Sequence, residues 1–231
     1  MDIRGLLVRK AFHIIGVILL ATPFLAGVSE NYISIYYALL ALVAGVFYSI
    51  QIKRPQLLLE LRADIFRSLQ SMFENLERLV PVQRSDLKIQ YDEIIIMIER
   101  AIEEAERDYE KRGGYLGLLM GAVGVLISYT IFGFVYLLPA IIGLAIYDTF
   151  SALVGSAFGR HRLPRAHATV EGVLGGSIPT FVALMWANYG VLGSLIITLF
   201  VVFAEAYGIE DNLTIPIAAS LAAFLMARAP I

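Results

Sequence analysis

Apolar residues run along this chain in long blocks, and polar and charged residues fall in the short gaps between them and in one extended insert. A helix needs roughly 17 to 25 residues without a charge stranded in hydrocarbon to cross a bilayer. That criterion predicts helices near 6–28, 31–50, 113–131, 134–158, 171–188, 190–206 and 213–228. The uncharged run Gly172 to Ala204 is too long for one crossing at about 1.5 Å per residue, and Asn188-Tyr189-Gly190 supplies the turn that divides it. The stretch from Arg4 to Val28 has the basic start and apolar run of a signal peptide. Its length and the spans that follow read it as the first crossing.

Between the second and third spans the pattern changes. Leu58, Leu61, Ile65, Leu69, Met72, Phe73, Leu76 and Leu79 recur at three- and four-residue steps, the stripe of an amphipathic helix that Pro81 ends. A second helix over about 86–111 carries Glu103/Arg107 and Asp108/Arg112 pairs on its solvent side. The expected fold is therefore all-α: a polytopic membrane bundle of about seven transmembrane helices with a helical hairpin insert. Its divisions are 1–50 with the first two spans, 51–112 as a cytoplasmic amphipathic hairpin, and 113–231 as the transmembrane catalytic core. The hairpin reads as plain packing, as a homodimer contact, or as a lid over the active face.

Composition agrees with a chain that lives in a bilayer: 58% hydrophobic residues and only 16% charged. The formal charge of -2 says little, because the charges are segregated, and no bulk nucleic-acid footprint is visible. Cys is absent, which excludes disulfides, thiolate metal sites and cysteine nucleophiles. Distribution of charge also orients the chain. With the N-terminus in the cytoplasm, Arg4, Arg9, Lys10, the eleven Lys and Arg of the insert, Arg160, Arg162 and Arg165 share one side, and Arg228 is the exception. Glu171, Glu205, Asp211 and Asn212 reach that same face, with Asp148 some distance within.

Asp148 is the residue that most needs an explanation. It follows thirty-five uncharged residues, Gly113 to Tyr147, and a carboxylate at such a depth marks a functional site by default. It shares a helical face with Ser151, Ala152, Gly155 and Gly159, which reads either as a cleared groove or as a small-residue stripe for helix packing with Asp148 paired to a distant Arg. Glu205 ends the sixth helix, where the helix dipole disfavours its charge and a cation should compensate it. Asp211-Asn212 before Leu213-Thr214-Ile215-Pro216 makes a good helix start, and Glu171 suits the N-terminal end of the fifth helix, so capping competes with chemistry at both places. Arg160, His161, Arg162, Arg165 and His167 form a basic loop suited to phosphate oxygens, although topology alone would supply some of that charge. In the first helix His13 lies one turn after Arg9.

Carboxylates beside Arg at a membrane surface suggest Mg²⁺ and a polyphosphate, since Mg²⁺ is held by a few carboxylates and substrate phosphates. No Walker loop or kinase Gly-rich loop is present. Four stretches then come together in order: Arg9-Lys10-Ala11-Phe12-His13; Asp148-Thr149 with Gly155 and Gly159; Thr169-Val170-Glu171-Gly172; and Glu205 followed by Asp211-Asn212-Leu213-Thr214-Ile215-Pro216. In these the chain resembles the integral-membrane, CTP-dependent lipid-alcohol kinases, the family that includes dolichol kinase, phytol kinase and the yeast-type diacylglycerol kinase. The resemblance covers the first helix and nearly everything after Gly113, but not the insert. That family usually has Gly where this chain has Tyr147, and a Lys where His167-Ala168 precede Thr169.

The resemblance implies Mg²⁺-dependent transfer of the γ-phosphate of CTP, or another nucleoside triphosphate, to the hydroxyl of a polyprenol, phytol, geranylgeraniol or diacylglycerol. Asp148, Glu205 and Asp211 are expected to hold Mg²⁺ or orient the attacking hydroxyl. Arg160, Arg162, Arg165 and His167, with Arg9 and His13, are expected to bind nucleotide and phosphate, and Glu171 and Asn212 to organise the nucleotide. The lipid tail would lie among the helices, with membrane lipids around it and the active site on the cytoplasmic side. Two other readings use the same residues: a CTP-dependent cytidylyltransferase acting on a lipid phosphate, and a non-enzymatic transporter or scaffold, which predicts inverted halves that this sequence does not show.

Overall fold

A computed structural model describes residues 3–53, 60, 63–65, 67–68, 71–72, 93, 96–97, 116–166 and 168–228. Among them the chain is all-helical apart from its turns and the 159–169 loop, where Arg162 and Thr169 form one isolated antiparallel bridge. In chain order the helices are α1 (Ile3–Leu25), α2 (Glu30–Lys53), α3 (Leu116–Phe132), α4 (Leu138–Ile142), α5 (Asp148–Phe158), α6 (Val170–Trp186), α7 (Gly190–Tyr207) and α8 (Asp211–Arg228). Each apolar block of the sequence has become helix, with ends shifted by a few residues. Among the described residues, three helical stretches are long and apolar enough to cross a membrane: Glu30–Lys53, Phe134–Phe158 and Gly190–Tyr207. Leu116–Phe132 and Val170–Trp186 are shorter apolar helices.

Phe134–Phe158 is composite. A 3₁₀ turn at Phe134–Tyr136 leads into α4, a π turn over Gly143–Tyr147 follows, and α5 begins at Asp148. A π turn widens the helix by one residue and loosens its hydrogen-bond ladder, so carbonyls there become available to other partners. The turn expected at Asn188-Tyr189-Gly190 is present, with φ of 65° at both Asn188 and Gly190.

The chain divides into two compact units, residues 46–115 and the remainder. In the first, the described residues after α2 are helical, and Asp64 and Arg67 form an exposed ion pair at 3.0 Å. Most of the expected hairpin, including its proposed dimer contact and the Glu103/Arg107 and Asp108/Arg112 pairs, lies outside the described residues. The second unit holds the core, where Val17, Tyr37, Val125, Leu144, Val201 and Ile215 are buried against one another. Large apolar side chains such as Ile18, Ile178, Trp186, Leu195 and Phe203 face outward and exposed. Apolar surface on that scale needs a cover, and a bilayer supplies one.

Helices in lipid gain little from hydrophobic burial against each other and rely on close backbone approach through small residues. Two crossings here are of that kind. α5 meets α6 so tightly that a Cβ on Gly172 would lie 2.9 Å from the Ser151 carbonyl oxygen and 3.2 Å from Gly155 Cα. α3 meets α8 with a Cβ on Gly124 only 3.0 Å from the carbonyl oxygens of Asn212 and Leu213. The small-residue face of Gly155 and Gly159 is therefore filled by the start of α6, and the packing reading of that stripe is the one realised.

Because the Ser151 carbonyl oxygen and Gly155 Cα beside Gly172 are backbone and cannot rotate away, Gly172→Ala should lower stability by about 1 to 3 kcal/mol. Gly16, with nothing within 4 Å of its absent side chain, is the control, and Gly16→Ala should hold or raise stability by up to about 1 kcal/mol. Unfolding midpoints of the detergent-solubilised variants check both.

Candidate functional site

Five residues on α1 alternate at four- and three-residue steps, Leu6, Lys10, His13, Val17 and Leu20, and this face turns inward. Four of them are buried and His13 is half-buried. Two positions of that face are polar, so α1 brings a cation and an imidazole into the bundle where its neighbours bring leucine and valine. They meet Asp148, the first residue of α5, which is 6% exposed.

Lys10 Nζ donates to Asp148 Oδ2 at 2.7 Å and to the Asp148 carbonyl oxygen at 2.8 Å. His13 Nε2 lies 3.0 Å from the same Oδ2 and 2.9 Å from the Leu144 carbonyl oxygen. Both neighbours of that nitrogen are acceptors, so Nε2 carries the proton that serves them. The π turn explains the second partner: the Asp148 amide bonds back to Gly143 O, which leaves the Leu144 carbonyl to accept from His13. The buried acid anticipated from the sequence is thus an ion-paired one, as a low-dielectric site demands.

Ser151, one turn after Asp148, connects this pair to a second carboxylate. Its hydroxyl lies 3.4 Å from the Asp148 carbonyl oxygen and 3.3 Å from Glu205 Oε1, so one proton is shared between the two acceptors. Glu205 is in the last turn of α7 and half-buried, and its other oxygen, Oε2, is buried with no hydrogen-bond partner. Asp211 opens α8 and is half-buried; it and Asp148 lie within electrostatic reach of Glu205, as does Lys10. Acids from the broken span and α8 thus bear electrostatically on Glu205 of α7, and Lys10 and His13 hold the first of them. No three His, Asp or Glu side chains among the described residues stand close enough to hold a metal ion together, and Asp148 Oδ2 is committed to its cations.

The remaining expected residues have other settings. Glu171 is bound up with the 159–169 loop: it accepts from the backbone amides of Arg160 at 3.1 Å and His161 at 3.2 Å, and from His161 Nδ1 at 2.6 Å. The capping expectation for this helix start falls to Thr169, whose Oγ1 accepts from the Gly172 amide at 3.1 Å. Backbone bonds from Val170 to His161 and from Leu163 to Ala168 close the loop on itself. Arg160, Arg162 and Arg165 are exposed on it, Arg165 with φ of 59°. His167 lies outside the described residues. Arg9 is half-buried on α1, and Asn212 packs against Gly121 and Gly124 of α3.

Lys10, Ser151 and Tyr147 belong to the cluster without having been singled out as site residues. For Lys10 the signal was present: a Lys and a His three apart on an otherwise apolar inward face. Ser151 and Tyr147 carry no comparable mark, since a small residue near an acid and a lone tyrosine in a span are ordinary packing choices.

The buried pair should behave as a unit. Lys10→Gln or Asp148→Asn alone leaves a charge uncompensated and should lower stability by about 3 kcal/mol. The double variant should recover a coupling of about 1 to 3 kcal/mol, read from unfolding midpoints in a double-mutant cycle. No family model, curated protein or solved structure matches this chain.

Proposed function

We propose that this chain is a membrane-embedded phosphotransferase that moves the γ-phosphate of CTP, or another nucleoside triphosphate, to the hydroxyl of an isoprenoid or glyceride alcohol. The observation that carries the reading is the cluster itself: Asp148, Glu205 and Asp211 from separate helices, gathered with Lys10 and His13, with one buried carboxylate oxygen left over. Fixed charges of both signs in a water-poor site suit a reaction whose transition state spreads negative charge over phosphoryl oxygens.

In this reading the helices cross the membrane about seven times, with the N-terminus and the cluster toward the cytoplasm. Mg²⁺ suits the donor set, because hard carboxylate oxygens are at hand and an ion carried on a triphosphate needs only one or two of them. Asp211 would hold it, with Glu205 beside it, and it would supply neutralisation of the phosphate charge. Lys10, with two of its donors on Asp148, supplies positive charge to the transferring phosphoryl group, and His13 holds Asp148 in place through the same carboxylate oxygen. Arg160, Arg162 and Arg165, exposed on the loop, meet the nucleotide phosphates from the aqueous side, and Glu171 shapes that loop from within. The acceptor oxygen attacks the γ-phosphorus, and the bond to the β-phosphate's bridging oxygen breaks with its electron pair on the nucleoside diphosphate. The hydroxyl proton passes to Glu205. Exclusion of water by the surrounding helices limits hydrolysis of the nucleotide.

Purified protein in detergent should place label from γ-labelled nucleotide on the lipid, and chelation of Mg²⁺ should abolish transfer until the ion is restored. Cytidine with its α-phosphate arriving on a lipid phosphate would establish the cytidylyltransferase in its place, and absence of either label would remove the enzymatic reading. Glu205→Gln should lower kcat by about 10²-fold or more, the usual worth of a positioned base. Replacing Arg160 and Arg162 with Ala should chiefly raise KM for the nucleotide.

A further inference from the structure

Tyr147 is fully buried, and its hydroxyl has no hydrogen-bond partner. That is an uncomfortable place for a phenol, because a buried O–H left without an acceptor is worse than no O–H at all. The ring is nonetheless seated with care: Gly176 of α6 stands where any Cβ would come within 3.0 Å of ring atoms Cδ2 and Cε2. The surrounding charges are those of the cluster, Glu205 foremost, then Asp148 and Asp211. Glu205 Oε2 is itself buried and unpartnered.

The two orphans are chemically complementary to one kind of group. A phenol offers a proton and a carboxylate oxygen takes one, whereas a hydroxyl oxygen both accepts and donates. We propose that Tyr147 and Glu205 form the seat of the acceptor's hydroxyl, Tyr147 donating to its oxygen and Glu205 Oε2 accepting its proton. The seat rests on the phosphotransferase reading and deepens it: it selects a free alcohol over an ether, an ester or a hydrocarbon of the same shape. Tyr147 also precedes Asp148 directly, so the π turn that presents the ion pair presents the phenol as well.

Binding tests this without turnover. Radiolabelled geranylgeraniol bound to the full chain in detergent is competed with unlabelled geranylgeraniol or with its methyl ether, which keeps the oxygen but has no proton for Glu205. The wild type should bind the ether about tenfold or more weakly than the alcohol, and Tyr147→Phe should weaken the alcohol by about tenfold and narrow that gap. Equal competition by the two ligands in the wild type, or an unchanged gap in Tyr147→Phe, overturns the seat. Stability supplies a second readout: removing a hydroxyl with no protein partner should leave the unfolding midpoint level or higher, and a fall of several degrees would mean that the hydroxyl serves the fold, which also overturns the proposal. A Tyr147-dependent preference for the alcohol in a protein that phosphorylates none would leave the seat standing and sink the transferase reading.

Discussion

Everything at the centre of this molecule depends on where one negative charge can rest. Asp148 sits 6% exposed in a stretch of helix otherwise free of charge, and the energy of leaving such a carboxylate uncompensated is of the order of a whole domain's stability. Lys10 and His13 remove that penalty only if α1 lies against the junction of the π turn and α5, with its polar pair facing inward. The ion pair therefore also sets position. It fixes the rotation of α1 about its own axis, and through the Leu144 and Asp148 carbonyls it fixes the height of α1 along the broken span.

The glycine crossings complete what the ion pair begins. With α6 drawn onto α5 at Gly172, α8 onto α3 at Gly124, and Thr214 of α8 donating to the Ala204 carbonyl of α7, the ends of α5, α7 and α8 have little freedom left, and Ser151 is held where it bridges the Asp148 carbonyl to Glu205. Close backbone contact and a buried charge pair act on different scales. The first sets distances between helix axes through dispersion and shape. The second selects, among arrangements of similar packing, the one that brings cation and acid together.

Much of the architecture was legible because a bilayer imposes a strong and simple rule on composition. Blocks of uncharged residues became helices within a few residues of their expected ends, and the Asn188-Tyr189-Gly190 turn and the break near Phe132-Gly133 fell where small and polar residues allow positive φ. Asp148 was legible for the same reason. Its partner was harder to see: Lys10 reads as one more basic residue near a helix start until the 6, 10, 13, 17, 20 register is laid out. The roles of Gly155 and Glu171 were least legible, because small residues serve a groove or a crossing equally well and a carboxylate at a helix start serves ligand or loop equally well. Only the placement of α6 against α5 decides between them.

A fold that satisfies Asp148 so thoroughly, with two donors on one oxygen and Ser151 on the backbone, has the means to satisfy polar groups when stability alone is at stake. Beside it, Tyr147 Oη and Glu205 Oε2 are left unpartnered in the same environment. Phe in place of Tyr147 would fill the same space under Gly176, and Gln in place of Glu205 would keep an oxygen for Ser151. Neither replacement would bury an unmet charge or phenol, so packing gives no reason for the residues present. An unmet phenol directly before the ion-paired Asp148, and an unmet carboxylate oxygen joined to that residue through Ser151, form a donor and acceptor of the kind a ligand hydroxyl would complete.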